Sequence, residues 1–406
     1  MYKITDGGVC AAKGFKAAGI HVGVKTKNKD KKDIALIVSD CECTAAAVYT
    51  KNIVKAAPLD VTKDNLSNGK AKAVFVNSGN ANACAPFGME NALRMCSIIA
   101  NELDINKNDV IVASTGVIGQ TLPIDVIEGG AAELVHCLSY TGSKDAAAAI
   151  MTTDLTMKEI AVEFTVGGKL CKLGGIAKGS GMIHPNMGTM LAFLTTDCSI
   201  SSDMIQKALV HTTNISFNRV SVDGDTSTND MLSLMANGLA GNAEITKPDA
   251  DYEIFADVLN FVCIELAKMI AADGEGATHL ITCTVKNAVN EETAEILAKS
   301  VISSTLVKAM IFGKDANIGR ILCAMGYSGA DFDPRLVDIS LKSAAGNVTV
   351  CENGTGIVFD EELALQILTE HEITIDISMN AGTAGCTCWG CDITYDYIKI
   401  NGDYRT

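Results

Sequence analysis

The stretch KGSGMIHPNMGTMLAFLTTD, Lys178 to Asp197, gathers the residues best able to do chemistry in this chain. Gly179, Gly181 and Pro185 each disfavour a helix interior, whereas Met190 to Leu194 reads as a buried strand. Thr189 stands at that boundary, directly after Gly188. A threonine hydroxyl is a poor nucleophile unless a base lies beside it. The histidines are isolated in the sequence, so neither an H-E-x-x-H metal motif nor a serine, histidine and aspartate order can be assembled, and His184 reads as a loop residue. One route to a base remains. If the chain breaks before Thr189, the freed α-amine, with a pKa of about 7.7–8.0, can serve the adjacent hydroxyl. Glycine also precedes threonine in ordinary turns, and the residues alone leave both readings open.

Other clusters carry weaker chemistry. GDTSTND, Gly224 to Asp230, alternates oxygen side chains but lacks the glycine and terminal glutamate of a calcium loop, and reads as a polar loop. CTCWGC supplies Cys386, Cys388 and Cys391 without a second pair at structural-zinc spacing, so no metal is expected. Lys178 precedes its glycines, the reverse of a P-loop. The basic run KTKNKDKKD, Lys25 to Asp33, is short, broken by acids, and reads as a solvated loop.

The elements that must hold these residues follow from pattern. With 406 residues, 48% of them hydrophobic, the chain can bury sizeable cores, and length alone suggests two or three domains. A net charge of −15 disfavours nucleic acid as a partner. Neither a secretory leader nor an apolar run of about 20 residues is present, so a cytoplasmic protein with no membrane association is expected, its fifteen scattered cysteines reduced. Strands and helices alternate, which predicts a mixed α/β fold. KAVFVNSGNANAC reads as a strand entering a loop at Asn77, with a helix following over MENALRMCSIIANEL. DVIVASTGVIGQTLPID repeats that grammar: a buried strand, a tight turn at Thr115 and Gly116, and a helix from about Pro123. Ile254, Phe255, Val258, Leu259, Val262, Cys263, Leu266, Met269 and Ile270 form one helical core stripe. A strand after Leu280, a helix from about Glu291 and later strands predict a C-terminal α/β subdomain over approximately 281–406.

The opening stretch resembles the signature of the ornithine acetyltransferase, or ArgJ, family. The likeness continues through GVCAAKGFKAAGI, VFVNSGNANACA, STGVIGQTLP, AIMTTD, RVSVDGDTSTND, DGEGATHL, GKDANIGRILCAMGYSG and WGCDITYDYIKINGDYRT, in one order along almost the whole chain. Gly188 stands where that family often has alanine, another small residue. The resemblance implies a layered α/β sandwich that cleaves itself between Gly188 and Thr189 into an alpha chain, 1–188, and a beta chain, 189–406. It implies Thr189 as nucleophile, Thr115 and Gly116 as oxyanion hole, and Thr152, Lys178, Thr189, Glu275, Asn401 and Thr406 as substrate-contacting positions. Lys178 suits a carboxylate and Glu275 an ammonium group. The implied reaction moves acetyl from N2-acetylornithine to glutamate through acetyl-Thr189, without metal or organic cofactor. Acetyl-CoA is a further donor in some relatives, and two alpha and two beta chains form the implied assembly. The alternatives are a self-cleaving amidase or aminopeptidase that passes the acyl group to water, and a non-enzymatic metal-binding module built on the cysteines.

Overall fold

The computed structural model describes residues 2–26, 30–184 and 190–403. In chain order its elements begin with β1 (Tyr2–Thr5), β2 (Phe15–Ile20), β3 (Ile34–Tyr49), α1 (Ala57–Asn65), β4 (Lys70–Asn80), α2 (Gly88–Leu103), β5 (Val110–Val117), α3 (Ile124–His136) and α4 (Ser143–Ile150). There follow β6 (Lys158–Val166), β7 (Lys169–Lys178), β8 (Leu191–Thr196), α5 (Ser202–Ile215), β9 (Val220–Ser221), β10 (Met231–Ala236) and α6 (Ala250–Ala272). The remainder holds β11 (Leu280–Ala288), α7 (Glu291–Ser303), α8 (Thr305–Phe312), α9 (Ile318–Gly326), β12 (Asp338–Ser343), β13 (Gly346–Glu352), β14 (Thr355–Gly356), α10 (Glu361–Ile367), β15 (Glu372–Ser378), β16 (Ala384–Cys391) and α11 (Tyr395–Gly402). Packing divides the chain into two units. The first comprises Met1–Gly179, Pro185–Asn218 and Thr226–Leu266; the second comprises Ser180–His184, Arg219–Asp225 and Ala267–Thr406. The segment expected as a subdomain from about 281 lies inside the second unit, whose main run starts upstream within α6. This division concerns packing and is separate from a covalent break after Gly188.

In the first unit one strand builds a sandwich. β3 runs unbroken through the polar stretch Asp40-Cys41-Glu42, but its register with β4 shifts between Val38 and Cys43. Its first half pairs with β2 and β4, its second half with β10, so the sheet order β1-β6-β7-β8-β10-β3-β4-β5 folds over at β3 into two facing halves. Alternation along the strands sorts the side chains. Ile37, Val74, Val76, Ile111, Ala113, Ile176, Leu191, Phe193, Met231 and Met235 share one buried cluster between the halves. Leu36, Phe75, Val110 and Val112 face outward into a second cluster with residues of α2 and α3. α6 covers the opposite outer face, where Phe255 meets Phe164 with ring centroids 6.4 Å apart. α4 joins the inner cluster through Ile150 and through Ala146, Ala147 and Ala149, alanines small enough to let the helix lie close to strands of both halves. The expected layered α/β sandwich is thus present.

In the second unit the strands run in the order β14-β13-β12-β15-β11-β16-β9. Ile281, Cys283 and Val285 on one face join Ala294, Leu297, Val301, Met310 and Ile321 of α7, α8 and α9 in its core. The other face carries hydroxyl and charged side chains, among them the Thr284–Thr387 pair and Lys286 bonded to Asp376. All fifteen cysteines are free thiols. Cys386 and Cys388 lie on the core side of β16, so CTCWGC is largely packing material.

Candidate functional site

Thr115 and Gly116 are the two residues before the last of β5, where the sequence pattern suggested a turn. The strand runs on because β4 and β5 stay paired through Gly79 and Gly116, with an irregularity at Gly79 and Asn80. Gly116 has φ +131, and a Cβ there would lie 2.3 Å from the Gly79 carbonyl carbon and 2.6 Å from the Asn80 nitrogen. Only glycine tolerates that approach. Thr115 continues the inward-facing row of Ile111 and Ala113, and Lys178 continues that of Ile176 on β7. They therefore point at each other across the space between the half-sheets, and the Lys178 ammonium donates to the Thr115 hydroxyl at 3.4 Å. Both residues are buried.

Asp154, in the loop leaving α4, organises the other side of Lys178. Its Oδ1 accepts from the Lys158 ammonium at 2.8 Å and from Gly179 N–H at 2.7 Å. Its Oδ2 accepts from Thr152 N–H at 3.0 Å and lies 4.0 Å from the Lys178 Nζ. Burial opposes ionisation of this carboxyl, yet the Lys178 and Lys158 ammoniums hold it far below the usual range. Lys25 ties down the same loop by donating to the Met151 carbonyl at 2.7 Å, and burial pushes its own pKa down to about 8. The Lys25–Asp33 run is consequently not wholly solvated: Asp33 is buried and accepts the N–H groups of Val22, Gly23 and Lys25.

Amide side chains brace the end of β5. Asn229 donates to the carbonyls of Ala81 and Ser114 at 2.6 and 2.7 Å, while the Ser114 hydroxyl donates to Asn77 at 2.6 Å. The polar loop 224–230 thus ends in buried residues, Thr228, Asn229 and Asp230. Burial pushes the Asp230 carboxyl well above the usual range, against the Ser227 and Thr50 hydroxyls and the Lys178 charge, and among the described residues its Oδ2 has no hydrogen-bond partner.

Within the second unit, Glu275 and Asn401 are brought together. Asn401 donates from Nδ2 to Glu275 Oε2 at 2.8 Å, and Glu275 is buried. Gly181 explains one glycine of the opening stretch: a Cβ there would lie 2.4 Å from the Glu275 carboxyl carbon. Glu275 N–H donates to the Ser180 carbonyl, and the Ser180 hydroxyl to the Asp273 carbonyl, locking the two segments together. Asp392, which the sequence pattern did not single out, accepts the N–H groups of Thr278 and His279 and faces His279 Nδ1 at 2.9 Å. Burial opposes its charge, but the His279 ring and Thr278 hydroxyl keep the carboxyl below the usual range. His184 faces the Ser221 hydroxyl at 3.0 Å, and burial lowers its pKa. Gly188, Thr189 and Thr406 lie outside the described residues.

A buried α/β sandwich thus brings a threonine hydroxyl and a lysine ammonium together at one internal point, beside a glycine in close backbone contact. The chain belongs to the ArgJ family, whose model matches residues 16–406. It is 50% identical over 405 residues to the arginine biosynthesis bifunctional protein ArgJ of Caldanaerobacter subterraneus subsp. tengcongensis, covering 100% of both chains. The arginine biosynthesis bifunctional protein ArgJ of Symbiobacterium thermophilum is 49% identical over 401 residues, 98% of this chain and 99% of that one. A crystal structure of the arginine biosynthesis bifunctional protein from Bacillus halodurans is 42% identical with a TM-score of 0.49, over 52% of this chain and 97% of that chain.

Proposed function

We propose that the protein is an acetyltransferase of arginine biosynthesis that moves acetyl from N2-acetyl-L-ornithine to L-glutamate, giving ornithine and N-acetylglutamate. The observation that carries this is the inward-facing Thr115–Lys178 pair at 3.4 Å, in a chain matched over its full length by arginine biosynthesis bifunctional proteins. Maturation begins when the Thr189 hydroxyl attacks the Gly188 carbonyl; water then hydrolyses the resulting ester, leaving a carboxylate on Gly188 and an α-amine on Thr189. In the first half-reaction the Thr189 oxygen bonds to the acetyl carbon while the amine takes the hydroxyl proton. The Thr115 hydroxyl and Gly116 N–H stabilise the oxyanion. Collapse breaks the bond to ornithine, which leaves with the proton. Glutamate then repeats the attack on acetyl-Thr189, and the proton returns to the threonine oxygen. Lys178 pairs with the carboxylate common to both substrates, and Glu275, held by Asn401, takes an ammonium group; Thr152 and Thr406 complete the contacts. The reaction needs no metal or organic cofactor. The active form is a cytoplasmic assembly of two alpha and two beta chains.

Incubation with acetylornithine alone should leave the 189–406 chain heavier by one acetyl group, and initial rates at varied glutamate should give parallel double-reciprocal lines. Thr189→Ala should remain a single uncut chain. Intersecting lines with no acetylated chain would overturn transfer through Thr189, and ornithine release at the same rate without glutamate would favour a hydrolase.

A further inference from the structure

We infer that Asp154 positions Lys178 for the substrate carboxylate and thereby sets the preference for donors that carry one. This rests on the acetyl-transfer function proposed above. Asp154 and Lys158 have no exposed side-chain surface, and one carboxylate serves two ammonium groups, Lys158 at 2.8 Å and Lys178 at 4.0 Å. Lys158 has the shorter, directly hydrogen-bonded contact, whereas Lys178 sits at the limit of an ion pair. The Lys178 head is thus oriented by Asp154 without being quenched by it, and retains donors for an incoming anion. The same carboxylate fixes Gly179 N–H, directly after Lys178, and Thr152 N–H. A single group therefore sets the main chain and the side-chain direction of Lys178 together with the loop bearing Thr152. Its side chain has no exposed surface, which makes it a positioning residue that acts through Lys178.

The test compares N2-acetylornithine with N-acetylputrescine, the same acetylated diamine without its carboxylate. Wild type and the Asp154→Asn variant are assayed for kcat/KM with each donor. Because Asp154→Asn removes the carboxylate bonded to buried Lys158, the double variant Asp154→Asn, Lys158→Met is assayed alongside; it removes one charge of each sign. The preference for acetylornithine over acetylputrescine should fall roughly 10-fold or more in either folded variant, mainly through KM for acetylornithine. Equal losses with both donors, or an unchanged preference, would reduce Asp154 to scaffolding and overturn the inference. So would failure of both variants to fold. If the wild type transfers acetyl from neither donor, the proposed function falls, and the calorimetric affinity ratio for the two compounds decides the role of Asp154 by the same criterion.

Discussion

Replacing Gly116 by alanine tests whether the end of β5 is held by backbone contact. The added Cβ would meet three main-chain atoms of β4, Gly79 C at 2.3 Å, Asn80 N at 2.6 Å and Gly79 Cα at 2.7 Å. None of these can rotate aside as a flexible side chain would. Reaching an ordinary contact of 3.4 Å requires the strands to part locally by about 1 Å, and a misplacement of that size at a reacting centre costs about 10²-fold in rate. The φ of +131 adds strain of about 1–3 kcal/mol for any residue with a Cβ. At about 2–4 °C per kcal/mol for a unit of this size, the melting temperature should fall by roughly 5 °C. Gly129→Ala is the matched control. Gly129 lies exposed in α3, and a Cβ there would meet nothing within 4 Å, so the substitution should stabilise the protein by about 0.5–1 kcal/mol without changing the rate. Calorimetric melting and acetylornithine-to-glutamate transfer measured on both variants decide the matter. A Gly116→Ala protein with wild-type melting and wild-type turnover would refute the claim that this contact positions the site.

Thr115→Ala should lower the acetylation rate by about 10²-fold while changing substrate affinity much less, since it removes one of two oxyanion donors; stopped-time measurement of acetyl-Thr189 formation checks this, and an undiminished rate removes Thr115 from the chemistry. Asp230 gives a signed pH effect. Its folded pKa is raised by burial, so its favourable contribution is complete below the ordinary aspartate range and is lost as pH rises toward the folded value. Asp230→Asn should therefore gain in melting temperature relative to wild type as pH goes from 4 to about 8, whereas a difference constant with pH would show that Asp230 is not buried as a strained acid.

The long elements were legible because their patterns are local. The stripe from Ile254 to Ile270 became α6, MENALRMCSIIANEL lies within α2, and LITCTVKNA became β11. The residues missed share one property: their partners are far away in the chain. Asp154 looks like a loop aspartate until Gly179 and Lys178 are beside it, and Asn229 looks like part of a polar loop until it reaches Ser114, 115 positions earlier. Thr115 and Gly116 read as a turn because a threonine–glycine pair is locally a poor strand end. The pairing that keeps them extended comes from Gly79 on β4.

By itself the sequence determined the α/β class, the family motifs, and the residue types that acetyl transfer would need, because these reside in composition, periodicity and short-range order. It also placed glycine at 116, where nothing else fits, and at 181, against the Glu275 carboxyl, without revealing why. Tertiary structure decided the rest. The register shift along β3 marks where one sheet becomes two facing halves, and only that fold-over brings the inward row of β5 opposite the inward row of β7. Whether Thr115 meets Lys178, and whether one buried aspartate can serve two lysines, depends on side-chain parity across strands that are not neighbours in the chain. No local pattern encodes that distance; it is set by how the core between the half-sheets packs.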